Sequence, residues 1–147
     1  MKSGVWKTVA AIATVCMLAI VAVAYFMGPC TGLIERADGG DPVNMKCHWS
    51  FIAVTVAGIV GAVIGILALI ANTLEGRRLT AAALAVTFVG LIVVLSPAGI
   101  GTCAASTMAC VTHSHIIFGI AAVGTIISLV MVAMADPAKA DLPKMGL

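Results

Sequence analysis

The sequence predicts an all-α integral membrane protein of four transmembrane helices, and three observations carry that prediction. The 57 residues between Arg78 and Asp136 contain no Asp, Glu, Lys or Arg, a run that no water-soluble domain of this size sustains. Hydrophobic residues make up 62% of the 147-residue chain. Charged residues make up 10%, against about 25% in ordinary globular domains. These figures exclude a soluble enzyme, and they exclude intrinsic disorder, which requires few apolar residues and much charge. The net charge is +2 and the basic residues are scattered, so the chain offers no nucleic-acid footprint. Residues 1–147 form one domain.

A helix needs about 20 apolar residues to cross the hydrocarbon layer, where it satisfies its own backbone. The first span covers residues 5–27 and is stopped by Gly28-Pro29. The second covers 49–71, between Lys46 and Glu75. The long uncharged run holds two more, because Ser96-Pro97-Ala98-Gly99-Ile100-Gly101 removes an amide and adds flexible backbone in its midst. The third span is therefore 79–95 and the fourth 112–135, leaving loops at 28–48 and 96–111. Lys2 and Lys7 followed by an apolar run ending Ala22-Val23-Ala24 also fit a signal peptide, but the run is about 20 residues rather than 7 to 15, which favours a retained helix.

Lys and Arg counts give the orientation. The amino terminus (Lys2, Lys7), the middle connection (Arg77, Arg78) and the tail (Lys139, Lys144) carry six of the eight, and the loops at 28–48 and 96–111 carry Arg36 and Lys46. The bias places both termini in the cytoplasm and the two loops on the outer face. Trp6 then falls near the inner interface, and Tyr25 and Trp49 near the outer one. The expected location is the cytoplasmic membrane of a bacterium or archaeon.

The chain also repeats a pattern. Helix, break and Cys30 lead to Met45-Lys46-Cys47-His48 and a second helix. Helix, break and Cys103 lead to Met108-Ala109-Cys110, His113 and a fourth helix. Two hairpins in the same orientation would form a parallel repeat about an axis normal to the membrane. Gly58, Gly61 and Gly65 line one side of the second helix and invite close helix packing, within the bundle in preference to a partner groove. Asp38-Gly39-Gly40-Asp41-Pro42 reads as a solvated turn, with Glu35, Asp38 and Asp41 on its surface.

Cys16 lies mid-span and reads as a small apolar side chain. Cys30, Cys47, Cys103 and Cys110 face an oxidising compartment, where thiols seldom stay free. Four cysteines allow three pairings, of which Cys30 with Cys47 and Cys103 with Cys110 are each local to one loop. Closing the first loop would stabilise it by about 3 kcal/mol in the chain-entropy model. Three readings of this end stay open. The first is two structural staples. The second is a thiol-disulfide oxidoreductase linked to quinone, whose layout the chain shares; the Cys-x-x-Cys pair that makes one thiol acidic is missing, as is any arginine in the third loop. The third is a copper, zinc or haem site drawing on Met45, Cys47, His48, Met108, Cys110, His113 and His115, with Met27 nearby; His48 with His113 or His115 would be the axial pair for haem. Apart from Lys7 at the start of the first span and His113 and His115 at the start of the fourth, no Asp, Glu, Lys, Arg or His lies within the four spans, which argues against transport or proton pumping by this chain alone.

Met45-Lys46-Cys47-His48-Trp49, followed by Met108 and Cys110, resembles domain-of-unknown-function family 4418, a family of bacterial four-helix membrane proteins with a Met-Lys-Cys-His-aromatic signature; Gly28, Pro29 and Cys30 add to the likeness. The resemblance covers essentially the whole chain and implies its fold and topology. A loose association of that family with ATP-driven membrane transporters would suit an accessory subunit. The stretch Val111-Thr112-His113-Ser114-His115 departs from the threonine- and proline-containing continuation of the family. The expectation is a non-enzymatic accessory or structural subunit with disulfide-stapled outer loops, no cofactor, and as partners the lipid bilayer and a larger membrane protein.

Overall fold

The computed structural model describes residues 3–28, 33–34, 39–41, 43–44, 46–102 and 109–135. Helix α1 covers Ser3–Ala22 and continues into a π-helical turn over Val23–Met27, while α2 covers Lys46–Ile70, α3 Leu74–Leu95 and α4 Ala109–Met134. All four are long and apolar enough to cross a membrane. Before α2, a two-residue ladder pairs β1 (Leu33–Ile34) antiparallel with β2 (Val43–Asn44). Between those strands Gly39 holds a φ of 76°, a left-handed turn conformation that suits glycine.

All four helices begin before the apolar windows do, α1 by two residues at Ser3. Helix α2 starts at Lys46 rather than Trp49, α3 at Leu74 rather than Leu79, and α4 at Ala109 rather than Thr112. Hydropathy marks the part a bilayer can hold, whereas the helix extends as far as its amides find partners. For α3 the partner is Thr73, which is extended at ψ 149° and whose hydroxyl accepts from the Gly76 amide at 3.1 Å, with Glu75 in the first turn against the helix dipole.

Only Ala71, Asn72 and Thr73 separate α2 from α3, so these helices pack as antiparallel neighbours. The packing order is α1 on α2, α2 on α3, α3 on α4, and α4 back on α1. Trp6, Met17, Ile20, Phe51, Leu84, Phe88, Leu91, Ile117 and Met131 are fully buried along the centre. The buried polar side chains among the described residues are Thr14, Ser50, Ser114 and Ser128, and none is charged. Thr14 and Ser114 return their hydroxyls to the backbone oxygens of Ala10 and Val111, at 2.8 and 2.7 Å.

Glycine sets the separation of the paired helices. A Cβ on Gly58 would come within 2.6 Å of Val21, one on Gly61 within 2.7 Å of Met17, and one on Gly65 would collide with Thr14, all on α1. In the other hairpin a Cβ on Gly124 would strike the Phe88 ring. The burial registers of the hairpins correspond. Cys47, Phe51, Val54, Gly58, Gly61, Gly65 and Ala68 of α2 fall on Cys110, Ser114, Ile117, Ala121, Gly124, Ser128 and Met131 of α4, with every position of both sets buried. Likewise Ala10, Ala13, Thr14, Met17, Ile20 and Ala24 of α1 fall on the buried Ala81, Leu84, Ala85, Phe88, Leu91 and Leu95 of α3. The Gly61–Met17 contact thereby matches the Gly124–Phe88 contact.

The end of the bundle remote from the cysteines is tied by side chains from two helices. Trp6 is fully buried, and its indole Nε1 donates to the Ala68 carbonyl at 2.8 Å. Arg77 lies over the Trp6 ring at 5.4 Å and donates from Nε to the Ala71 carbonyl at 3.1 Å. Ala68 and Ala71 lie where α2 runs out of amides to offer its own carbonyls. Trp6 is thus a core residue beneath an arginine, while Tyr25 and Trp49 at the other end are 72% and 57% exposed.

Candidate functional site

Of the residues singled out for chemistry, Cys47, His48, Cys110, His113 and His115 are described, and they lie at the end where α1 and α3 finish and α2 and α4 begin. Both exits use a glycine with positive φ. Gly28, at 61°, closes the π turn with its amide directed at the Val23 carbonyl 3.4 Å away. Gly101, at 74°, returns its amide to the Val94 carbonyl at 2.9 Å. That π turn was not foreseen, since no composition marks one; it carries Tyr25, Phe26 and Met27 onto the outside of the bundle.

Cys47, in the first turn of α2, and Cys110, the second residue of α4, are both fully buried. No disulfide joins these two to each other, and Cys110 carries a free thiol, so the structure gives no support to the expected Cys103–Cys110 pair. Cys30, Cys103, Met45 and Met108 lie outside the described residues, and with them the loop pairings expected for each cysteine. Cys16 is half-buried at the edge of the core.

The histidines take three different places. His113 is half-buried and its Nδ1 donates to the Gly28 carbonyl at 3.1 Å, so that ring nitrogen carries a proton and the ring bridges α4 to the end of α1. His48 lies edge-on to Trp49, 5.5 Å between ring centres, and borders a recess of about 280 Å³ shared with Ala24, Tyr25, Phe51, Ile52, Thr55 and Val56. His115 is exposed. Among the described residues no three His, Cys, Asp or Glu side chains come together as a metal-holding group. Ser50, one turn after Cys47, donates its hydroxyl to the Gly101 carbonyl and ties α2 to the loop after α3. The bridges from His113 and Ser50 link one hairpin to the other. Sequence spacing could not find them, because each acceptor is a backbone oxygen far away in the chain.

Chemically, this end is an apolar plug with hydrogen bonds spent on neighbouring backbone. The sulfurs of Cys47 and Cys110 are buried, and the recess beside His48 is lined almost wholly by hydrocarbon. Compared with known proteins, the chain matches the model of a family described as a domain of unknown function (DUF4418) over residues 11–135. No curated protein and no solved structure matches it.

Proposed function

Because the chain belongs to the DUF4418 family, whose description assigns no activity, its role has to come from its own surface, and we propose a non-enzymatic accessory subunit that packs beside a larger membrane protein, with a transporter as the favoured class. Gly90 and Gly119 carry this reading. Both sit mid-helix on exposed positions, and a Cβ on either would meet nothing within 4 Å. Glycine inside a helix costs about 0.5–1 kcal/mol relative to alanine, and internal packing demands neither of these. A neighbouring helix approaching closely at α3 and α4 would explain both.

In this reading both termini face the cytoplasm and the cysteine loops face outward, in keeping with six of eight basic residues on the terminal side. Cys30 with Cys47 and Cys103 with Cys110 staple the loops. The full burial of Cys47 and Cys110 suits staples better than exchange with a substrate thiol, which requires access. The matching burial registers of the two hairpins support a duplicated design.

The test replaces the open glycines. Gly90→Leu and Gly119→Leu add bulk into empty space, so the isolated protein should keep its helicity and thermal transition while losing the chains that co-purify or cross-link with it. A wild-type protein that cross-links to no other membrane chain in its native membrane, together with unchanged behaviour of both variants, would sink the reading.

A further inference from the structure

Three basic side chains are described at the end opposite the cysteines, and they face different surroundings. Arg77 is engaged with the Trp6 ring and the Ala71 carbonyl. Arg78 borders a recess with Glu75, Leu74 and Ala135, so a carboxylate shares its neighbourhood. Lys7 is exposed and has no hydrogen bond or ion pair among the described residues. Beside it runs a shallow, open groove of about 600 Å³ along α1, lined by Thr8, Ala11, Ile12, Val15 and Cys16, with Leu69 of α2 at its edge. Apart from Lys7 at its mouth, nothing in that groove carries charge.

Depth places this cation at the headgroup level. The span Gly4–Met27 has 24 residues, about 36 Å of helix against about 30 Å of hydrocarbon. Lys7 is three residues in from the start, at the edge of the apolar layer, where a four-carbon stem lets the ammonium reach the phosphates. An apolar trough ending in one cation that no described carboxylate offsets has the charge and shape of a phospholipid turned inside out. A partner helix in the same place would have to bury the ammonium or supply a carboxylate against it.

We propose that this groove seats an acyl chain of an anionic phospholipid whose phosphate pairs with the Lys7 ammonium. The site is independent of the surface formed by Gly90 and Gly119, and the chemistry is the same in either leaflet. The register that lays Ala10 on Ala81 also lays Lys7 on Arg78, so each hairpin carries a cation at the same height. Glu75 offsets the second one, which makes Lys7 the selective position.

The test is lipid retention by the purified full chain in detergent, read by native mass spectrometry after incubation with phosphatidylglycerol or phosphatidylcholine. The wild type should retain phosphatidylglycerol over phosphatidylcholine by about fivefold, the preference one surface cation gives. Lys7→Gln should erase the preference, Lys7→Arg should keep it, and Val15→Trp, which fills the trough from an exposed position, should lower retention of both lipids. Equal retention of the two lipids by the wild type, or a preference undiminished in Lys7→Gln, would overturn the proposal.

Discussion

Replacing Trp6 by Phe tests whether the bundle end is held by the contacts that Trp6 makes across three helices. The substitution removes the Nε1 donor from the Ala68 carbonyl and gives Arg77 a poorer aromatic face. Hydrogen bonds between membrane helices are worth about 0.6 kcal/mol on average and up to about 1.7. The exchange of indole for phenyl under a partly exposed cation costs about 0.5 kcal/mol. Loss of the second ring from a fully buried site adds about 1 kcal/mol, a fraction of the 3–5 kcal/mol for removing a whole aromatic side chain. Together these give about 2–3 kcal/mol. Helix α2 has no basic residue in its last turn, so Arg77 supplies the positive charge that its carbonyl end attracts. A double-mutant cycle of Trp6→Phe with Arg77→Gln should therefore show coupling of about 0.5–1 kcal/mol. The assay is unfolding by sodium dodecyl sulfate from mild detergent, followed by far-ultraviolet circular dichroism. A loss below about 0.5 kcal/mol for Trp6→Phe, or strictly additive variants, would refute the reasoning.

Other outcomes follow from the same contacts. Gly124→Ala should destabilise by about 1–3 kcal/mol and more than Gly61→Ala, because the first meets the rigid Phe88 ring and the second the flexible end of Met17; the same unfolding assay ranks them. Gly28→Ala places a Cβ on a residue with φ 61° and should cost about 1–2 kcal/mol, whereas Gly119→Ala should stabilise the isolated protein by about 0.5–1 kcal/mol. Cys30, Cys47, Cys103 and Cys110 should resist alkylation until reduced, while Cys16 reacts once the protein is unfolded; mass spectrometry counts the labels. Metal and haem are checked on the same sample by elemental analysis and visible absorption, and stoichiometric copper, zinc or a Soret band would displace the staple reading.

Some of this was legible in the sequence because the physics is local. Charge and hydropathy along the chain mark four spans, and the i, i+3, i+7 spacing of Gly58, Gly61 and Gly65 marks a packing face that the structure sets against Val21, Met17 and Thr14. The Gly28 break shows for the same reason, since glycine before proline ends a helix. Arg77 over Trp6 was not legible, because the partners are 71 positions apart and either residue alone reads as an interfacial side chain. His113 and Ser50 were hidden similarly, each being bound to a carbonyl whose position depends on how the hairpins dock. The Lys7 groove needed both α1 and Leu69 of α2 before it became a concavity at all. What the cysteine loops do turns on Cys30 and Cys103, whose pairing sequence spacing leaves three ways open.

The order of packing around the bundle has a consequence for how the protein is made. The contacts of α1 with α2 and of α3 with α4 are local in the chain, so each hairpin can form as soon as its second helix has entered the bilayer. The seam between α1 and α4 is different: it cannot close until the last helix is synthesised, and His113 on Gly28 is among its latches. Assembly is then a docking of two prefabricated halves. Two separate polypeptides, divided at Asn72 and produced in one cell, should find each other in the membrane and rebuild the intact bundle.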